Sequence, residues 1–298
     1  MIRPHRLNKG DKIDIVAPAG NLVEGTLETG INIIESWGLN VELGEHLTKG
    51  SNYFSGTDVE RLHDLQKALD DSDIKAIFCA RGGYGTTRII DSINWEGFRK
   101  YPKWIIGFSD ITALHFQLHQ LGYQSVHAIM PTGFAKADPL SVESLRKLLF
   151  LDLPTYNFEG NPNNRPGQAN GVIIGGNLSL INDSIGTASD IDFTNKILFI
   201  EELDEYLYKI DRMLVQLKRA GKLAKLKGLI IGNMTGMKDT TVPFGANIHT
   251  LIFDHVKEYN YPIAFNIPIG HEPLNMAIPH GSVCKLNVSD KAIAMSFE

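Results

Sequence analysis

Four segments of this chain carry residue types that could perform acyl transfer. The first is Gly107-Phe108-Ser109-Asp110-Ile111, which follows the apolar run 103–108 and precedes a helical stripe. A serine at the carboxyl end of a parallel strand projects its hydroxyl where open α/β sheets hold their ligands. The next backbone N–H then lies near a helix N-terminus, where developing negative charge is stabilised. This is the logic of a nucleophile elbow, with Ile111 standing where the second glycine of G-x-S-x-G belongs. Ser109 or Asp110 could equally cap the helix, a position both residue types favour. On this segment alone both readings stand.

The second segment runs from Cys79 to Arg88 and holds Gly82, Gly83 and Gly85. Glycine permits positive φ and close approach of backbone to a ligand. The G-x-G-x-x-G phosphate motif fails because Arg88 takes the last glycine's place, and there is no Walker-type loop. What remains is a plain glycine turn or an oxyanion loop. In the second case the N–H groups of Gly82 to Tyr84 lie beside Ser109, and the planar fork of Arg81 faces a substrate carboxylate. Cys79 lies within the strand and reads as a small buried hydrophobe. The third segment, Ile197 to Glu205, ends a strand in Glu201, Glu202, Asp204 and Glu205. Such acids can orient a histidine, or can simply open the next helix. The fourth is Gly270-His271-Glu272-Pro273, with His271 at a strand end and His280 and His127 as further candidates. H-E-P-L-N is not the zinc motif H-E-x-x-H, so the pattern calls for no metal. A serine hydroxyl, a base to deprotonate it and an acid to hold the base's tautomer together make a complete nucleophilic set.

Short apolar runs at 12–17, 40–46, 74–80, 103–108 and 124–129 read as buried strands. Between them, Leu27, Ile31, Ile34 and Trp37 share one helical face. Thr57 and Glu60 form a capping box, and the stripe Ile111, Leu114, Leu118, Leu121 stops at Gly122. Alternating strands and helices predict a doubly wound parallel sheet with helices on both faces. From Leu153 to Gly171 proline, glycine and asparagine dominate, as in a linker. Beyond it the spacing predicts strands at 171–174, 196–201, 226–231 and, more weakly, 263–267. A helix carries Leu207, Ile210, Leu214 and Leu217 up to Gly221, and the tail reads as a hairpin turning near Ser289-Asp290. The expected organisation is an α/β domain over 1–153, a linker over 154–170 and a smaller mixed, β-rich domain over 171–298.

With 298 residues, two domains are favoured over one. The chain has 29 basic and 34 acidic residues, a net charge of −5, which argues against gripping nucleic acid or an anionic membrane. Its two cysteines make neither a disulfide framework nor a four-cysteine zinc site. No apolar window reaches the ~18 residues of a membrane span, and no secretory leader is apparent, so a cytoplasmic protein is expected.

Six motifs then occur in order: V-A-P-A-G from Val16, A-R-G-G-Y-G from Ala80, G-F-S-D-I-T-A-L-H from Gly107, G-G-N-L-S-L-I from Gly175, F-I-E-E-L-D-E-Y-L from Phe199 and G-H-E-P-L-N from Gly270. The chain resembles the serine LD-carboxypeptidases, the murein-tetrapeptide carboxypeptidases and their microcin C-resistance relatives. The resemblance implies a triad of Ser109, Glu201 and His271, with an oxyanion hole from the amides of Gly83 and Asp110. Arg81, Gly82 and Tyr84 would contact substrate. The chain departs from the family in carrying His280 where many have an apolar residue, which leaves an alternative base in the same loop as His271. The resemblance further implies a Rossmann-like or flavodoxin-like domain joined to a smaller β-rich one with the site between them, and a homodimer needing no cofactor. The implied reaction is release of D-alanine from muropeptide tetrapeptides in cytoplasmic wall recycling. An amidase acting on aminoacyl-nucleotide analogues is the alternative, and a muropeptide- or nucleotide-binding protein without turnover is a third reading.

Overall fold

The computed structural model describes residues 1–50, 52–151 and 153–298. They form two compact units, one of residues 1–152 with 273–280, the other of 153–272 with 281–298.

The first unit alternates strand and helix: β1 (Lys12–Val16), α1 (Glu28–Ser36), β2 (Asn40–Leu43), α2 (Asp58–Asp70), β3 (Ile74–Cys79), α3 (Glu96–Lys100), β4 (Trp104–Gly107), α4 (Thr112–Gln120), β5 (Ser125–His127) and α5 (Pro139–Phe150). Ile13, Ile15, Ile77, Phe78, Ile105 and Ile106 are all buried, because parallel strands are covered on both faces. The sheet runs β2-β1-β3-β4-β5 in parallel. This is the flavodoxin-like order, whose ligand crevice opens at the carboxyl ends of β1 and β3, where the order reverses. A strand from late in the chain, β11 (Ile278–His280), closes the β5 edge in antiparallel fashion.

Local chemistry fixes the helices. The Thr57–Glu60 capping box starts α2. At the other end of that helix the buried Lys103 ammonium donates to the carbonyls of Ala68 and Asp71, satisfying groups the last turn leaves unpaired. Burial lowers that ammonium to about 8.

The second unit is built on one seven-stranded sheet. Its elements are β6 (Thr155–Glu159), β7 (Gly167–Asn177), α6 (Leu178–Asp183), β8 (Lys196–Leu203), α7 (Leu207–Arg219), β9 (Gly228–Thr235), α8 (Ile248–Val256), β10 (Ile263–Ala264), β12 (Val283–Val288) and β13 (Ala292–Phe297). Strands β7 to β10 are parallel, whereas β12, β13 and β6 are antiparallel. Half is thus a second α/β layer and half a meander, the mixed and β-rich character expected.

Two differences from the sequence reading have physical causes. Residues 154–170 are not an extended linker, because 155–159 pair with β13 and 167–170 with β12. Their polar side chains alternate with buried Tyr156, the pattern of an antiparallel strand with one wet face. And 273–280 do not belong to the second unit: their apolar Ala277 and Ile278 are buried in the first.

Beneath β4 lies His115 of α4, fully buried. Its Nε2–H donates to the Gly107 carbonyl at 2.9 Å and its Nδ1 accepts from Ser125 Oγ at 2.8 Å. Burial lowers its pKa from 6.5 to about 4. A depressed folded-state pKa means that the unfolded chain binds the proton first, so stability present above pH 6.5 is lost as pH falls toward 4. The loss from this one group reaches about 3 kcal/mol. Urea unfolding at pH 7 and pH 4.5 checks this: His115→Gln, which cannot titrate, should show a visibly smaller acid-induced drop than the parent chain. An equal drop in both would refute the assignment.

Candidate active site

In the first unit the β4 strand ends at Gly107 and a 3-10 turn spans Ser109–Ile111 before α4 begins. Ser109 has φ of +62°, a left-handed conformation that costs a non-glycine residue energy. Neither Ser109 nor Asp110 acts as a side-chain cap for the turn or for α4. Instead the fully buried Asp110 carboxylate accepts the Thr86 N–H at 2.9 Å, which ties the end of the glycine loop to the serine turn. Burial raises the Asp110 pKa, against the opposing bonds from Thr86.

The glycine loop follows β3 at the switch point. The Gly20 N–H donates to the Gly82 carbonyl at 3.1 Å, joining the β1 and β3 loops. A Cβ on Gly82 would stand 2.9 Å from Ser109 Cβ and 3.1 Å from its Oγ, so the loop backbone passes directly against the serine. Gly83 has φ of +110°, which only glycine adopts easily. Arg81 Nη1 donates to the Asn21 carbonyl at 2.7 Å, and Tyr84 is exposed. The sequence reading missed Arg61 on α2. Its buried guanidinium donates to the carbonyls of Pro18 and Gly85 and so clamps both loops. A helical arginine one residue after a capping glutamate carries no signal of such a role.

In the second unit Glu201 sits on β8, completely buried, and its Oε2 lies 2.6 Å from His271 Nδ1. The β8–β9 register shifts between Ile200 and Glu202, an irregularity of the kind that re-aims side chains. As successive strand residues, the two neighbouring acids face different partners and have different tasks. Glu202 accepts from Asn177 Nδ2, Ser179 N and Ser179 Oγ at 2.7–2.9 Å, which occupies it with the start of α6. Gly270 has φ of +133°, and a Cβ there would come 3.0 Å from Glu201 Cβ and Oε2. Only glycine lets the histidine's backbone approach the acid so closely.

With Nδ1–H donated to Glu201, the neutral tautomer carries its basic lone pair on Nε2. Burial raises the Glu201 pKa, partly offset by His271. For His271 burial pulls down, but the Glu201 hydrogen bond and charge, helped by Glu202 and Asp204, outweigh it and the net shift is upward. His280 and His127 take other positions. Both are buried in the first unit's sheet, His280 stacked on His115 at 5.5 Å and His127 beside Phe108 at 5.7 Å. His280 is thus a residue of β11 in the first unit's sheet, not a loop residue.

Models of the LD-carboxypeptidase N-terminal domain and C-terminal domain match residues 13–128 and 170–286. The chain belongs to the LD-carboxypeptidase family. Family membership makes it a serine-type hydrolase. Among curated LD-carboxypeptidase relatives it is 36% identical to the probable murein peptide carboxypeptidase of Bacillus subtilis (strain 168), covering 97% of this chain and 92% of the relative. It is 28% identical to the murein tetrapeptide carboxypeptidase of Pseudomonas aeruginosa, covering 92% of each chain. The crystal structure of muramoyltetrapeptide carboxypeptidase from Oxalobacter formigenes superposes with a TM-score of 0.88 at 25% identity, over 96% of this chain and 98% of that one. The wild-type apo microcin C7 self-immunity protein MccF shares the fold, with a TM-score of 0.89 at 20% identity over 100% of this chain and 99% of its own. Among the described residues no helix is long and apolar enough to cross a membrane.

Two measurements test this geometry. Gly82→Ala should lower kcat by about 10- to 100-fold through displacement of Ser109, with the melting temperature nearly unchanged. In an NMR titration the His271 ring should titrate above pH 6.5, and below it in Glu201→Gln, where burial acts without the carboxylate. An unmoved midpoint would mean that Glu201 does not govern the imidazole.

Proposed function

We propose that this LD-carboxypeptidase hydrolyses the L,D-peptide bond before the C-terminal D-alanine of murein tetrapeptides, with Ser109, His271 and Glu201 as its triad. The observation that carries the reading is the buried Glu201–His271 hydrogen bond, since a 2.6 Å contact to Nδ1 leaves Nε2 to serve as base. The left-handed Ser109 turn and the similarity to murein peptide carboxypeptidases support it.

In the proposed reaction His271 Nε2 takes the Ser109 hydroxyl proton as Oγ bonds to the carbonyl carbon. The resulting oxyanion accepts hydrogen bonds from the Gly83 and Asp110 amides, each worth about 10²–10³ in rate. The imidazolium, steadied by Glu201, returns the proton to the departing D-alanine nitrogen as the C–N bond breaks. Water, deprotonated by the same imidazole, then attacks the acyl-enzyme and restores Ser109. No cofactor takes part in these steps. Arg81, Gly82 and Tyr84 are assigned to substrate contact near the glycine loop. The proposal extends to cytoplasmic wall recycling by a homodimer; the two buried free thiols, Cys79 and Cys284, suit a reducing compartment and support that location.

The test is D-alanine release from tetrapeptides with diaminopimelate or lysine third, by the parent chain and by Ser109→Ala and His271→Ala. Each variant should lose about 10⁴-fold or more in kcat, Ser109→Ala at unchanged stability and His271→Ala with a lowered melting temperature but a native circular dichroism spectrum. No D-alanine release, with cleavage of an aminoacyl sulfamoyl-adenylate instead, would overturn the substrate assignment. Full activity in His271→Ala would overturn the base.

A further inference from the structure

A second group of chemically capable side chains lies in the first unit, apart from the proposed triad and oxyanion residues. The turn after β2 carries Glu45 and His46, and α2 carries His63. One ligand-capable atom from each lies within 4.8 Å of the other two. The two imidazole rings stand 5.2 Å apart and nearly perpendicular, at 83°. Behind them is Asp64, whose side chain is only 3% exposed. Its Oδ2 accepts the backbone N–H of His46 and its Oδ1 accepts His46 Nδ1–H, both at 2.7 Å. Gly44 is required for that arrangement, because a Cβ there would meet Asp64 Oδ2 at 2.7 Å. A buried carboxylate holding one imidazole nitrogen fixes the tautomer and puts the lone pair on Nε2. This is the outer-sphere support that metal-ligating histidines commonly have.

We propose that Glu45, His46 and His63 bind a divalent transition cation of the zinc type, with Asp64 as the positioning residue for His46. Two imidazoles and one carboxylate suit zinc, cobalt, nickel or copper rather than the all-oxygen preference of magnesium and calcium. Tetrahedral zinc with bonds of about 2.0–2.2 Å needs ligand atoms roughly 3.4 Å apart. Glu45 is exposed, and the exposed His63 is held only loosely, its Nδ1 standing 3.4 Å from the same Asp64 Oδ1, so these two side chains turn to close the remaining distance while His46 is the fixed arm. The fourth position is left to water. The cation would join the β2–α2 connection to α2 itself. Later in that connection the Tyr53 carbonyl accepts the Asn21 N–H at 2.9 Å, and Ser55 N–H donates to Ala19 at 3.2 Å, on either side of Gly20. The cation's role is therefore to brace a support of the glycine loop, and no step of hydrolysis passes through it.

The experiment is calorimetric titration of zinc chloride into the full chain, with visible spectra of the cobalt(II) form as a second readout of coordination. Loss of outer-sphere groups alone typically weakens metal binding 10- to 100-fold. Direct ligands should matter at least as much, so His63→Ala and Glu45→Gln should each weaken zinc by about tenfold or more and reduce the tetrahedral cobalt bands. His271→Ala should bind zinc as the parent does. Absence of saturable binding, binding unchanged by both His63→Ala and Glu45→Gln, or binding lost in His271→Ala would overturn the proposal. Because all these readouts are independent of turnover, they remain decisive even if the murein substrate assignment fails.

Discussion

A carboxylate with no access to water is tolerated only where hydrogen bonds and an opposite charge replace its hydration. Glu201 is such a group, and His271 is its partner at 2.6 Å. Removing one member of a buried pair typically costs about 3–5 kcal/mol, because the other charge is left stranded. Much of the second unit's detail follows from that constraint. Gly270 is glycine because a side chain would press on the acid, and Gly232 is glycine because a Cβ would meet the Ile269 carbonyl at 2.4 Å. Glu202 is bound elsewhere, so its charge acts on the pair from a fixed place.

The first unit meets a different demand, that of holding a serine in a conformation it resists. The left-handed Ser109 is enclosed by the Gly82 backbone on one side and by the Asp110–Thr86 bond on another. Strain of this kind, about 1–3 kcal/mol, persists only where neighbours over-determine it. Arg61 and His115 extend the support, one through loop carbonyls and the other through the carbonyl of Gly107.

How much of this was legible in the sequence depended on the range of the interaction. Local signals read well: the Thr57–Glu60 box, the Gly122 stop and the Ser289 hairpin all rest on contacts within a few residues. The strand ends bearing Ser109 and Glu201 were readable too, because apolar runs and their polar terminators are adjacent in the chain. Other features depended on partners far away. Strand β6 is hidden by asparagine and proline because its pairing with β13 lies more than a hundred residues on. Which of Glu201 and Glu202 faces the histidine depends on which face of β8 each occupies and on partners far away in the chain, and two adjacent glutamates carry no compositional trace of that choice. His280 read as a loop residue because nothing near it in the chain announces β5.

The excursion of residues 273–280 into the first unit means that the polypeptide passes between the two units three times, not once. A fragment cut at 152 would therefore leave β5 with bare amides and carbonyls along one side, an open template for self-association. The general base proposed here stands two positions before one of these passages. Recombining halves of related chains would have to respect all three joints, which gives this fold a modularity of structure without a modularity of sequence.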